Sequence, residues 1–153
     1  MGTRSRIGIE NRDGTVTSIY CHWDGYLSHV GRILHTNYTT EEKIRELMAL
    51  GDLSSLGEEI GEQHTFDNPY QWGTVEWEAM ERQCTAYSRD RGETDTEARV
   101  SPNREAYLKL SEEYTYLWRD GEWSVLSEDV VPEWIPLEEA LRMDSLEDEE
   151  SEE

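Results

Sequence analysis

The residues able to do chemistry gather between Tyr20 and Gly31, in the run Y-C-H-W-D-G-Y-L-S-H-V-G. Histidine, cysteine and aspartate are the side chains that ligate metals and move protons. His22 and Asp24 lie two apart at the end of an expected strand, so they project to one side. His29 follows, and with His22 and Asp24 it makes the candidate set for a metal or small-molecule site. A zinc site takes three or four such ligands, and none of these residues has the i, i+4 spacing of a helical metal pair. The competing reading is an aromatic-walled core corner, with His22 donating to Asp24 or to a carbonyl. Cys21 and His22 are sequence neighbours, so a strand sends them to opposite faces and they do not pair as nucleophile and base. Cys21 shares the face of Ile19, which predicts a buried, inert thiol. No C-x-x-C or zinc-type Cys/His spacing is present, and no cofactor is expected.

Charge is the second chemical feature. The 153 residues carry 14 Lys+Arg and 35 Asp+Glu, a net charge of −21. The imbalance is concentrated: residues 1–56 hold six bases and seven acids, whereas residues 57–153 hold eight bases and twenty-eight acids. Direct nucleic-acid binding and docking on anionic lipid are disfavoured by that sign, and a basic partner is favoured. Glu58, Glu59, Glu62, Asp67 and Glu76 are the candidate partner-binding acids. Tyr70, Trp72 and Trp77, lying among them, are the candidate apolar anchors that an interface needs. Duplex DNA presents one charge per about 1.7 Å of axis, and a surface dense in carboxylates imitates that field. Carboxylate pairs are too numerous here to mark a catalytic acid–base pair. Gly51, Gly57 and Gly61 lack the lysine and the strand-to-helix setting of a phosphate loop. No catalytic residue is assigned.

These groups need a frame. Ser5–Glu10 and Thr15–Cys21 alternate around Asn11-Arg12-Asp13-Gly14, the pattern of a β-hairpin. Glu113–Arg119 and Trp123–Leu126 alternate around Asp120-Gly121, a second hairpin with a D-G tip. Val30–His35 reads as a helical segment. Ile44, Leu47, Met48 and Leu50 make the stripe of a firmer helix, with Thr39 or Thr40 as its N-cap and Gly51 as its stop. Thr74–Arg82 fits a strand or a helix equally. Cys84–Ser88 reads as a strand, Glu93–Ser101 as exposed and polar, and Trp134-Ile135 as an extended link between two prolines. Pro136–Met143 starts a short helix. The expectation is one α+β domain over 1–143, with an antiparallel sheet built from at least two hairpins and helices packed on one face. Residues 144–153, with seven acids in ten positions, read as an acidic disordered tail. The chain opens without an apolar signal segment and has no run long enough to span a membrane, so a reduced cytoplasmic protein is expected.

T-R-S-x-I at Thr3–Ile7, D-G-T-V at Asp13–Val16, Y-C-H-W-D-G-Y at Tyr20–Tyr26 and G-D-L-S-S-L at Gly51–Leu56 resemble a family of small uncharacterised proteins of tailed bacteriophages. D-R-G-E at Asp90–Glu93 and the Tyr/Trp-rich second hairpin echo it. The resemblance implies a phage accessory protein acting in the cytoplasm of an infected bacterium. Combined with the charge, it leads to an expected function: binding and inhibiting a host defence or nucleic-acid-handling protein through an acidic, DNA-mimic-like surface. The alternative is a small hydrolase or a metal- or small-molecule-binding protein using Tyr20–Gly31. Thr3 before a hairpin also resembles the opening of N-terminal-nucleophile hydrolases, but loss of Met1 would expose Gly2 rather than Thr3.

Overall fold

A computed structural model describes residues 3–110, 112–127 and 131–151. In chain order, β1 (Ser5–Glu10) and β2 (Val16–Cys21) lead through a π turn over Leu27–Gly31 into α1 (Arg32–Asn37) and α2 (Glu41–Leu50). There follow β3 (Leu53–Ser55), α3 (Val75–Glu81), β4 (Thr85–Ala86), α4 (Tyr87–Arg91), β5 (Arg99–Ser101) and α5 (Arg104–Leu108). The chain closes with β6 (Tyr114–Arg119), β7 (Glu122–Ser127), β8 (Val131–Pro136) and α6 (Leu137–Ser151). The fold is α+β, as the sequence predicts.

Both hairpins form where turn chemistry places them. In the first, Asn11 N–H donates to Thr15 C=O at 2.7 Å. The Asp13 carboxylate accepts from the Thr15 N–H at 3.0 Å and from its hydroxyl at 2.6 Å. In the second, Asp120 and Gly121 take φ of 53° and 80°, the left-handed pair that a two-residue hairpin turn requires. The hairpins then join through their first strands: β1 runs parallel to β6, from Ser5 opposite Tyr114 to Ile9 opposite Trp118. The sheet order is β4-β3-β2-β1-β6-β7-β8, with β5 pairing β2 as well. It is therefore mixed rather than antiparallel throughout, because β1–β6 and β2–β3 are parallel.

Alternation sends Ile7, Ile9, Ile19, Cys21, Tyr116, Trp123 and Val125 to one face, where Leu34, Tyr38, Ile44, Leu47, Met48, Leu137 and Ala140 cover them. Full burial of each aliphatic among them contributes about 1.5–3 kcal/mol. The expectation of helices on one face needs correction. Tyr107 of α5 packs on the opposite face with Val16 and Leu117, over the backbone of Gly8. Its hydroxyl donates to Tyr116 C=O at 2.7 Å, so the helix is fastened there by a hydrogen bond as well as by packing.

Several local readings also change. Thr40, not Thr39, caps α2, its hydroxyl accepting from Lys43 N–H at 3.3 Å. The ambiguous Thr74–Arg82 stretch is a helix, started by the Thr74 hydroxyl accepting from Trp77 N–H at 3.2 Å. The strand expected over Cys84–Ser88 lasts two residues before α4 begins. Leu53–Ser55, Arg99–Ser101 and Val131–Pro136 are strands. The last helix continues to Ser151, so most of the acidic segment read as a disordered tail extends α6; residues 152–153 lie outside the described residues.

Candidate functional site

Between Glu58 and Glu81 the sequence has seven acids and neither lysine nor arginine. Little of this segment is regular structure, so its position is set by hydrogen bonds to its neighbours. Glu59 N–H donates to Arg82 C=O at 3.0 Å, and Cys84 N–H returns to Glu59 C=O at 2.9 Å. The Lys43 ammonium reaches from α2 to Glu58 C=O at 2.8 Å. Gly57 has no room for a side chain: a Cβ there would lie 2.3 Å from Arg82 C=O. The far end is held by Asn68, whose amide donates to Trp77 C=O and to the Glu81 carboxylate, both at 3.1 Å.

The middle is clamped by Arg89 and Asp90. The Arg89 guanidinium donates to Ile60 C=O at 2.9 Å, Gly61 C=O at 3.1 Å and Cys84 C=O at 2.7 Å. The Asp90 side chain is fully buried. One of its oxygens accepts from His64 N–H at 3.1 Å and Arg89 Nε at 3.0 Å; the other accepts from Ala86 N–H at 2.8 Å and Arg89 Nη2 at 3.2 Å. Burial opposes charge on this carboxyl, but those hydrogen bonds outweigh it and hold it below the usual aspartate range. His64 adds its ring, Nδ1 lying 2.8 Å from Thr65 C=O and Nε2 lying 2.9 Å from Cys84 C=O. Phe66 lies 5.6 Å from the Tyr87 ring, with the Arg91 guanidinium 4.9 Å from its centroid.

On this frame Glu58, Glu59, Glu62, Asp67 and Glu76 are all exposed, and among the described residues none of them makes an ion pair. Trp72 is 79 % exposed and Tyr70 50 %. Trp77 is half-buried, its ring 5.8 Å from that of Trp72. Val75, 77 % exposed at the start of α3, joins them; β-branching and its ambiguous period hid it in the sequence. The structure thus brings Trp72 and Trp77 into one cluster flanked by Glu76, on a helix whose Met80 is buried. Arg89, Asp90, His64 and Asn68 were missed by sequence reading because most of their bonds go to backbone carbonyls and amides, which carry no side-chain pattern.

The Tyr20–Gly31 stretch divides along its length. Cys21, Gly25, Leu27, Val30 and Gly31 are buried, whereas Trp23 and Tyr26 are exposed. His22 Nδ1 lies 2.8 Å from the Tyr20 hydroxyl, where the corner reading expects Asp24 or a carbonyl, and the His22 ring meets Trp23 edge-on at 4.7 Å. His29 lies beside Tyr26, 6.1 Å between ring centroids. His22, Asp24 and His29 do not converge: among the described residues no three His, Cys, Asp or Glu side chains are placed to hold a metal ion. Burial pushes the Cys21 thiol up to about 12, which leaves no thiolate for nucleophilic attack near neutral pH. Among the described residues no helix is long and apolar enough to cross a membrane. Comparison with protein-family models, with curated proteins and with solved structures finds no match.

Proposed function

We propose that this protein works by binding another protein, and that the acidic, aromatic segment Glu58–Glu81 is the contact surface. The observation that carries the reading is Trp72. It stands 79 % exposed and lies against Trp77 in a segment of seven acids and no bases. Solvated tryptophan offers a large apolar area, and tryptophan is the residue type most enriched among the energetic centres of interfaces. Among the described residues no cation pairs with the surrounding carboxylates, so they are available to a basic surface and steer its approach. The hydrogen-bonded clamp of Arg89 and Asp90 keeps the segment ordered before contact, which lowers the entropic cost of binding.

The partner that fits is a protein with a basic groove, of the kind that handles DNA or RNA, and the protein would inhibit it by occupying that groove. The phage-like motifs supply the setting, a host defence or nucleic-acid-handling protein in an infected bacterium. Affinity capture from bacterial lysate, followed by competition with duplex DNA, tests this. A captured nucleic-acid-binding protein that is released both by salt and by DNA supports the reading. Capture that neither salt nor DNA disturbs overturns it.

A further inference from the structure

The sheet face opposite the helical core carries a feature at odds with the chain's acidity. Arg6 of β1, Arg99 of β5 and Lys109, just past α5, line one open cleft of about 360 Å³ together with Tyr20, Asp52 and Glu112. Three cations against two acids leave that lining net positive in a chain of −21. Arg6 sits in a central strand and is only 5 % exposed. Its Nε donates to Ser18 Oγ at 3.0 Å, but its Nη2 is buried and has no hydrogen-bond partner. Buried polar groups are nearly always paired, and an orphaned charged donor is costly to keep. Asp52 lies close enough to favour the Arg6 charge, but it makes no hydrogen bond to Nη2, and one of its oxygens takes the Tyr20 N–H at 3.0 Å. Among the described residues neither Arg6, Arg99 nor Lys109 makes an ion pair.

We propose that this cleft binds a compact oxyanion, a phosphate or carboxylate group of a small molecule, between Arg6, Arg99 and Lys109. Guanidinium groups match both anions through paired, charge-assisted hydrogen bonds. Burial disfavours the charge on Arg6, and an anion beside it offsets that cost. The ligand is compact because Asp52 and Glu112 share the cleft and the chain's overall field repels any polyanion. The site lies in different elements from the Glu58–Glu81 surface and stands independently of it.

The test is thermal unfolding and amide NMR of the full chain, with inorganic phosphate, succinate or a short single-stranded oligonucleotide added at constant ionic strength. Arg6 is left intact because its burial ties it to folding; Arg99 and Lys109 are exposed. Saturable stabilisation by phosphate or by succinate, with shifts at Tyr20 and Asp52, is expected, and the anion that acts identifies the source. Arg99→Ala and Lys109→Ala should each weaken the affinity roughly tenfold while leaving unfolding without added anion nearly unchanged. No saturable effect from either anion overturns the proposal. So does an effect retained when Arg99→Ala and Lys109→Ala are combined, or tighter binding of the oligonucleotide than of both anions.

Discussion

The Tyr38 hydroxyl donates to Gly57 C=O at 2.8 Å, and the same oxygen lies 3.3 Å from Cys84 Sγ. One buried side chain thereby ties the helical layer to both ends of the acidic loop. Its own carbonyl accepts from the Trp123 indole at 2.8 Å, extending the link to the second hairpin. Tyr38→Phe keeps the ring and removes the hydroxyl, leaving Gly57 C=O only the Cys84 thiol, 3.7 Å away, as a donor. The expected loss is about 1–2 kcal/mol by chemical denaturation. Hydrogen exchange should show the loss concentrated at Glu59 and Cys84, whose amides close the loop, and uniform loosening would count against the link.

Asp90 makes a pH-dependent contribution with a definite sign. Its folded pKa lies below the unfolded value of about 3.9. The stability it supplies is thus fully present above about pH 4 and is lost as pH falls through the folded value. Asp90→Asn should cost about 3–5 kcal/mol at neutral pH, because Arg89 keeps its place without a countercharge. Acid titration of the two proteins should show the difference shrinking below pH 4. A difference that stays constant with pH would mean that Asp90 acts by shape alone.

Gly8→Ala checks the second helical layer. A Cβ at this position would lie 2.8 Å from Tyr107 Cζ and 2.9 Å from its hydroxyl oxygen. Tyr107 is fully buried and hydrogen-bonded to Tyr116, so it has little freedom to yield. Overpacking of this kind costs about 1–3 kcal/mol. A melting temperature unchanged by the substitution would show that α5 is not seated on the sheet.

How much of this was legible in the sequence follows from what stabilises each part. The hairpins and α2 were readable because their signals are local: alternation, the Asp120-Gly121 turn, and a threonine cap before an apolar stripe. The parallel pairing of β1 with β6 was not, since it joins Ile7 to Tyr116 across more than a hundred residues and neither strand's alternation names its partner. β3 and β5, three residues each, are too short to show a period. At the surface, Tyr70 and Trp72 are exposed and Trp77 is half-buried. The Arg89–Asp90–His64 clamp did not announce itself, because apart from the Arg89–Asp90 pair its partners are main-chain atoms. Arg6 was hidden in a β1 pattern whose visible residues were Ile7 and Ile9.

Both cysteines should be silent in the native protein. Cys21 and Cys84 are fully buried, and burial raises both thiols. A small alkylating reagent at pH 8 should label neither until denaturant opens the core, when both react together. Fast native labelling of Cys84 alone would show the Gly57–Cys84 contact opening on its own.

The acidic surface carries the last and sharpest prediction, because its two components separate experimentally. Trp72→Ala removes a ring that is 79 % exposed, so folding stability should change by less than about 0.5 kcal/mol. If the tryptophan is an interface anchor, partner affinity should fall by about 2 kcal/mol or more, with the loss in the dissociation rate. Reversing Glu58, Glu59 and Glu62 to lysine should act differently. These side chains are exposed and have no ion pairs among the described residues, so the fold should tolerate the change. The association rate should drop instead, and its salt dependence should flatten. Surface plasmon resonance against the captured partner at two salt concentrations distinguishes the two effects. Equal, salt-independent losses in both variants would mean that the segment is disturbed as a whole, and would remove the case for electrostatic recognition.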